Sequence, residues 1–334
     1  MPEHTAPSPT LQDPFGRQIT YLRLSITDRC DLRCGYCMDE GTRFLRRQQI
    51  LTLEEIHTVA EAFVALGVDK IRVTGGEPLV RRGGLDLLRA LGRLDGLREL
   101  VLTTNGTRLD RHAPALRGAG VRRVNISLDS LRPERFRRIT RNGRLEQVLA
   151  GIEAARRAGF EGLRLNCVIQ RGVNEDEVPE LVAFARDRGM DIAFIEQMPL
   201  GGGRSPSTGP VTCDEVRARV ERYFPMIRTL RENGGPARYF RLADGPTRVG
   251  FIAPMSHDFC AACNRIRLTA DGRLLPCLGQ SGAVDLKGVL RARPGDRQAL
   301  EAAIARALRH KPRAHGFHGS GEPLILHRMN QAGG

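Results

Sequence analysis

Short stretches of the chain alternate between apolar and polar residues, and helical patterns separate these stretches. The alternation predicts strands at 21–27, 70–75, 99–105, 122–129, 163–170 and 191–198. The intervening patterns predict one helix that begins after Thr52, which forms a capping box with Glu55. Further helices are predicted at about 85–94, 109–118, 144–158 and 176–188. Repeated strand–helix units of this kind indicate a parallel sheet, either open or curled into an incomplete barrel.

The predicted strands have one apolar and one polar face. Leu22 and Leu24 alternate with Arg23 and Ser25, and the later strands repeat the pattern with Lys70, Arg72 and Arg164 on the polar side. A parallel sheet covered by helices on both faces has continuously apolar strands, which these are not. A curled sheet with the polar face inward predicts a wet, cationic cavity that suits a polyanionic substrate. An exposed edge face is the alternative.

A different pattern begins near residue 200. The stretch "GGGRSPSTGP" at 201–210 predicts a flexible loop, and we place a domain boundary at about 200–212. Helices are expected near 213–223, 284–291 and 296–309, with irregular β-like stretches among them. The predicted organisation is a flexible N-terminal segment, a partial barrel and a C-terminal region, at 1–20, 21–205 and 206–334.

The composition is that of a globular protein with a formal charge of +14, and all but three of its 52 basic residues are arginine. Nucleic-acid binding, an anionic small substrate and a coding bias towards arginine each explain this excess. An aromatic content of 5% without tryptophan argues against base-stacking platforms. No apolar stretch is long enough for a transmembrane helix and the N-terminus is polar, so we expect a cytoplasmic protein without membrane or nucleic-acid partners.

Six of the eight cysteines form two groups of three, whereas Cys167 and Cys213 stand alone and are expected to be inert. The first group is Cys30, Cys34 and Cys37, with the spacing C-x3-C-x2-C. A 4Fe–4S cluster held by three thiolates leaves one iron open for a substrate or cofactor. A zinc site needs a fourth ligand, and the next histidine, His57, lies in a predicted helix.

This first group resembles the signature of the radical S-adenosylmethionine (SAM) enzymes, with Tyr36 before the last cysteine. The "TGGEP" stretch at 74–78 is similar to the glycine-rich SAM-binding motif of that family. Its backbone is expected to approach the methionine moiety of SAM closely, which glycine permits sterically.

The second group is Cys260, Cys263 and Cys277, at C-x2-C-x13-C. Together with the first it resembles the GTP 3′,8-cyclase family of molybdenum cofactor biosynthesis. The resemblance implies an incomplete (βα)6 radical SAM barrel with a C-terminal α+β extension. It also implies two 4Fe–4S clusters, SAM, and a lyase that converts GTP to (8S)-3′,8-cyclo-7,8-dihydroguanosine 5′-triphosphate. The implied partners are an electron donor, the downstream cyclic pyranopterin monophosphate synthase and a second copy of the chain.

The resemblance also implies roles for individual residues. Cluster ligands are the six cysteines of the two groups. The SAM contacts are Tyr36, Gly75, Gly76, Glu77, Ser127 and Met198. The GTP contacts are Arg23, Lys70, Arg72, Thr103, Arg164, Arg265 and Arg267. Catalytic roles fall to Arg265, Arg267, Gly333 and Gly334.

Three positions depart from the family pattern. Arg164 stands where lysine is frequent, Ala193 where a basic residue is usual, and Asp39 where proline is usual. The loss of a cation at Ala193 bears on substrate binding. Two other hypotheses share part of the pattern: a radical SAM peptide-modifying enzyme, and a zinc-ribbon nucleic-acid-binding protein.

Overall fold

One sheet organises the molecule, which is described from a computed structural model over residues 11–39, 41–198, 209–229, 235–257, 259–280, 282–317 and 329–333. In these ranges its strands are β1 (Tyr21–Ser25), β2 (Lys70–Thr74), β3 (Glu99–Thr104), β4 (Val121–Ser127), β5 (Gly162–Ile169), β6 (Asp191–Glu196), β7 (Met226–Arg228), β8 (Arg238–Leu242), β9 (Arg248–Ile252), β10 (Arg265–Leu268), β11 (Arg273–Leu275) and β12 (Val284–Asp285). Their spatial order is β12-β11-β10-β1-β2-β3-β4-β5-β6-β9-β8-β7.

The helices of the same ranges are α1 (Leu53–Ala65), α2 (Gly84–Leu91), α3 (Leu109–Gly118), α4 (Pro133–Thr140), α5 (Leu145–Arg157), α6 (Val178–Asp187), α7 (Cys213–Glu221), α8 (Leu286–Ala292), α9 (Arg297–Arg309) and α10 (Met329–Ala332). Short 3-10 turns lie at Arg47–Gln49, Pro78–Val80, Glu175–Glu177 and Cys260–Ala262. The capping box between Thr52 and Glu55 is present and begins α1.

The six strands predicted in the first half are present and pair in parallel, in chain order, from β1 to β6. The predicted (βα)6 architecture is therefore confirmed. Helix α4 was not predicted, because its only buried residues are Phe136, Ile139 and Thr140 among exposed arginines. An apolar stripe that short gives little helical periodicity in the sequence.

The alternation along the strands separates core from cavity as predicted. Leu22, Leu24, Ile71 and Val73 are fully buried and belong to the apolar core that the helices cover. The residues between them, including Arg23, line cavities on the other face of the sheet.

The C-terminal region extends both edges of the partial barrel. Strand β10 pairs in parallel with β1, placing Arg265 opposite Tyr21. Strand β9 pairs in parallel with β6, placing Val249 opposite Ile192. Both edge strands thus gain backbone partners from residues more than 50 positions away, which local sequence patterns do not reveal.

Residues 11–20 pack against this core, although the sequence predicted a flexible segment over 1–20. Leu11 and Ile19 are buried, a bridge joins Gln12 to Gln18, and Asp13 forms an ion pair with Arg17 at 2.5 Å. Residues 1–10 lie outside the described ranges. Among the residues that the structure describes, no helix has the length and apolar character needed to cross a membrane.

Candidate active site

The loop after β1 carries the first cysteine group. Cys30, Cys34 and Cys37 line one cavity with a volume of about 290 Å³. The loop is turned by the N–H groups of Cys37 and Met38, which both donate to the Cys34 carbonyl at 3.0 Å. Burial raises the pKa of the Cys30 and Cys37 thiols to about 12. Their thiolates therefore need a cationic partner, which the iron of a cluster provides.

The first cysteine group has the donor chemistry of an iron–sulfur site. In a 4Fe–4S cluster each thiolate binds a different iron, and three thiolates leave one iron without a protein ligand. The three thiols of this loop therefore fit such a cluster. Across the described parts of the chain, no group of three or more His, Cys, Asp or Glu side chains is arranged to hold a single metal ion.

Tyr36 fastens this loop to the sheet. Its hydroxyl donates to Asp129 Oδ2 at 2.8 Å, and the N–H of Val168 donates to Asp129 Oδ1 at 2.8 Å. Burial raises the pKa of Asp129 to about 6, although both hydrogen bonds favour the carboxylate. Tyr36 thus links the cysteine loop to the ends of β4 and β5.

The glycine-rich stretch packs on the backbone of the cysteine loop. The N–H of Gly76 donates to the Thr27 carbonyl at 2.7 Å. A Cβ at Gly75 would lie 2.6 Å from the Thr27 oxygen, and one at Gly76 would lie 2.4 Å from the Arg29 oxygen. These glycines are needed for this close approach of two loops, whereas the sequence interpretation attributed them to the approach of SAM. Both also line the cavity.

Glu77 does not line the cavity among the described residues. Its buried carboxylate accepts hydrogen bonds from Leu79 N at 3.0 Å, Thr104 Oγ1 at 2.8 Å and Asn105 N at 2.7 Å. Burial raises its pKa to about 7. Glu77 therefore braces the glycine loop against the end of β3.

The second cysteine group lies at the amino ends of the strands, whereas the first group follows the carboxyl end of β1. Cys260 and Cys263 precede β10, whose first residue is level with the first residue of β1, and Cys277 follows β11. All three line the same cavity as the first group. Since β1 has five residues, the two groups are separated by roughly 16 Å of strand. Each end of the cavity is thus lined by its own group of three cysteines.

Most of the other predicted site residues line the wall between the two groups. These are Arg23, Tyr36, Thr103, Ser127, Met198, Arg265 and Arg267. Cys167 and Cys213 instead lie buried in the apolar core, outside this lining.

The C-terminal tail reaches into the wall of the cavity. Arg23 Nη2 and Arg267 Nη1 donate to the Gly333 carbonyl at 3.1 and 2.8 Å. Asn330 Nδ2 donates to the Asp28 carbonyl at 3.0 Å. The predicted catalytic residue Gly334 lies outside the described ranges.

Lys70, Arg72 and Arg164 line a second cavity of about 130 Å³, which adjoins the first at Arg23 and Asn166. Lys70 forms an ion pair with Glu99 at 2.7 Å. The side chains therefore form a cationic floor at the amino ends of the strands.

Two tyrosines orient the arginines of this floor. Arg72 Nε donates to the Tyr21 hydroxyl and Arg164 Nη1 donates to the Tyr239 hydroxyl. Arg72 Nη1 also donates to Thr103 Oγ1 at 3.1 Å. Neither tyrosine was predicted, although Tyr21 shares the alternating face of Arg23 and could have been found from that pattern.

The ring of Tyr239 also occupies the space beside Ala193. Ala193 is fully buried and opposite Gly250, which in turn is opposite Tyr239. A Cβ at Gly250 would lie 2.7 Å from the Tyr239 ring. The small residues Ala193 and Gly250 therefore leave room for the ring.

Comparisons with known proteins identify both halves of this architecture. The family model described as the Radical SAM superfamily matches residues 24–185, and the one described as Molybdenum Cofactor Synthesis C matches residues 190–317.

Curated relatives match over nearly the whole chain. A protein of Pseudomonas aeruginosa named GTP 3′,8-cyclase 2 is 54% identical over 326 residues, covering 97% of this chain and 98% of the relative. A GTP 3′,8-cyclase of Pseudomonas putida is 57% identical, covering 98% and 99%. One of Marinobacter nauticus is 53% identical, covering 98% and 100%.

Among solved structures, SuiB of Streptococcus suis bound to S-adenosylmethionine aligns with a TM-score of 0.59 at 14% identity, covering 86% of this chain and 68% of that one. The same protein in a second structure aligns with a TM-score of 0.60. At this identity the likeness supports the fold alone.

Proposed function

The chain belongs to the radical SAM superfamily and, within it, to the GTP 3′,8-cyclases, and from that membership we propose how its cavity performs the reaction. The enzyme converts GTP to (8S)-3′,8-cyclo-7,8-dihydroguanosine 5′-triphosphate, the first step of molybdenum cofactor biosynthesis. The observation that carries the proposal is the single cavity onto which both three-cysteine groups open.

The donor sets fit two 4Fe–4S clusters. Cys30, Cys34 and Cys37 would hold the first, and the group of Cys260, Cys263 and Cys277 the second. When bound, the clusters and SAM would supply the electron and the radical chemistry of the reaction, and each cluster would have one iron that the protein does not ligate.

Residues beside the first group bind and orient SAM in this proposal. Gly75, Gly76, Ser127 and Met198 line the cavity next to the cysteine loop and are its contacts. Tyr36 holds the cysteine loop through Asp129, and Glu77 holds the glycine loop. The last two are positioning residues, because their polar atoms are engaged with protein groups.

The cationic floor binds the triphosphate. Arg23, Arg72 and Arg164 offer planar guanidinium groups that pair with phosphate oxygens, and Lys70 and Thr103 lie beside them. Ion pairing between the triphosphate and the cationic floor fixes the position of the nucleotide along the cavity. The ribose then lies between the floor and the first cysteine group.

Arg265 and Arg267 lie beside the base. Arg267, with Arg23, also holds the carbonyl of Gly333, so the tail closes the wall next to the substrate. A closed wall excludes water from the radical and helps C3′ and C8 to face each other. The catalytic role proposed for Gly334 rests only on the resemblance to the family.

We further propose that the partial barrel at 21–205 and the C-terminal region at 206–334 act as one catalytic unit. The enzyme works in the cytoplasm as a homodimer. It receives electrons from a reductant protein and passes its product to cyclic pyranopterin monophosphate synthase.

Anaerobic turnover with SAM, dithionite and GTP tests the site assignment. Cys263→Ala is expected to keep SAM binding and to abolish formation of the cyclic product, because the second cluster would lose one of its three protein ligands. Cys213→Ala, in the buried core away from the cavity, is the matched control and should keep activity. Full cyclisation by Cys263→Ala would show that the second group is only structural.

A further inference from the structure

Lys311 is a buried ammonium beside the second cysteine group, in a segment for which the sequence suggested no chemistry. It is one of three lysines and is only 4% exposed. Its Nζ donates to the carbonyls of Arg265 and Pro276, both at 2.8 Å, and lies 3.6 Å from Cys263 Sγ. An ammonium has three donors, and all three are directed at these atoms.

Burial of a charge without a counter-charge is costly, so a buried ammonium needs an anionic partner. In the described residues, no Asp or Glu forms an ion pair with Lys311, and the group able to carry a negative charge that its ammonium reaches is the Cys263 thiol, at 3.6 Å. Lys311 and a Cys263 thiolate therefore compensate each other.

The segment that carries Lys311 is fixed around the cysteines from both sides. Arg17 donates to the Cys260 carbonyl at 2.7 Å and to the Pro312 carbonyl at 2.6 Å. The N–H of His315 points at Cys260 Sγ at 3.4 Å. The lysine is thus held next to Cys263 by a connected set of contacts that includes Arg17 of the N-terminal segment.

We propose that Lys311 is a positioning residue for the second cluster: its ammonium donates to the Cys263 thiolate and raises the reduction potential of that cluster. A hydrogen bond withdraws electron density from a ligand sulfur, and a nearby positive charge favours the state with one more electron. The inference rests on the proposed function, in which the second cysteine group holds a cluster.

An EPR-monitored redox titration of the reconstituted full-length enzyme tests it, with SAM added to mark the signal of the first cluster. Lys311→Met removes the charge and the donor, and Lys311→Gln keeps a donor without the charge. Both variants should shift the second midpoint downward. For Lys311→Met we expect about a tenfold fall in the reduced-to-oxidised ratio at the wild-type midpoint, about 59 mV for one electron.

Lys287→Met is the matched control, because Lys287 Nζ donates to the Gln49 carbonyl on the surface. It should leave both midpoints unchanged, and the Lys311 variants should leave the first midpoint unchanged. Loss of the second cluster alone from Lys311→Met would also support the proposal.

Two outcomes overturn the inference. One is an unchanged second midpoint in both Lys311 variants. The other is joint loss of both clusters and of native circular dichroism, which would make Lys311 a general structural residue. Iron content separates this failure from failure of the proposed function: wild-type enzyme must first hold about eight iron atoms per chain.

Discussion

Two buried phenols allow several cations to share the cavity floor. Tyr21 accepts from Arg72, and Lys70 lies 5.2 Å from its ring centroid. Burial raises the pKa of Tyr21, but the charges of Arg72, Arg23 and Lys70 outweigh it and lower the value to about 7. A partly ionised phenol therefore offsets the mutual repulsion of the arginines until a polyanion arrives.

Tyr21 is expected to titrate near neutral pH in the enzyme without GTP. The pKa of about 7 in the folded protein is below the ordinary tyrosine pKa of 10.0, so the unfolded chain binds more protons between these values. The stabilisation is thus complete above pH 10 and is lost as the pH falls through 7. NMR of ring-labelled tyrosine should show one such resonance, absent from Tyr21→Phe. The absence of any tyrosine resonance that titrates near 7 would contradict the prediction.

Tyr239→Phe should raise the KM for GTP about tenfold with little change in kcat. The substitution removes a hydrogen bond to the charged Arg164, which is worth about 1.4 kcal/mol or more. The remaining ring still fills the space over Gly250. Steady-state kinetics measure the effect, with Tyr223→Phe as the exposed control. An unchanged KM would show that Arg164 is held without the hydroxyl.

Ala193→Arg should weaken GTP binding rather than restore a missing contact. Ala193 is fully buried beside the position of the Tyr239 ring, so a long cationic side chain would overlap the ring or repel Arg164. Isothermal titration of GTP on both proteins decides the direction. Tighter binding by the variant would mean that the cavity can accept another cation, and that Tyr239 moves aside.

The sequence predicted individual elements better than their long-range partners. The period-two pattern of β1, β2 and β4 located both the core face and the cationic face, because that signal is local. The pairing of β10 with β1 could not be predicted, since both strands are short and lie far apart in the chain. Lys311 was missed for the same reason: only the fold brings it to Cys263.

The tail forms a small element of its own at the cavity wall. Helix α10 ends at Ala332, and Gly333 follows with a φ of +76°. A Cβ at Gly333 would lie 2.1 Å from Thr74 Oγ1, a residue of β2 that lines the cavity. Both the backbone conformation and the space thus require glycine.

Gly333→Ala should lower kcat by more than tenfold while SAM binding persists. The left-handed conformation costs an alanine about 1 kcal/mol, and the contact with Thr74 displaces the carbonyl that Arg23 and Arg267 hold. Gly295→Ala is the matched control, because Gly295 has a φ of +78° but open space around it. Equal effects of both substitutions would mean that backbone strain alone is responsible.

At the scale of the whole molecule, the C-terminal region extends both edges of the partial barrel. Surface arginines pair with acids on the outer helices, for example Arg217 with Glu221 at 2.9 Å, which agrees with a general excess of arginine. The arginines of the two cavities instead come from β1, β2, β4, β5, β9 and β10. The pairing of β10 with β1 and of β9 with β6 therefore both extends the sheet and adds side chains to the substrate site.

A chain that ends at residue 205 is expected to aggregate. It would leave β1 without β10 and β6 without β9, so two long edges would expose unpaired backbone groups. A chain that ends at residue 317 is the control, because it keeps both pairings and loses only the tail. It should remain soluble and folded but inactive. Size-exclusion chromatography and circular dichroism compare the two truncated chains. Co-expression of residues 206–334 should restore solubility to the shorter chain. A soluble, folded monomer from residues 1–205 alone would show that the partial barrel is stable without its edge partners.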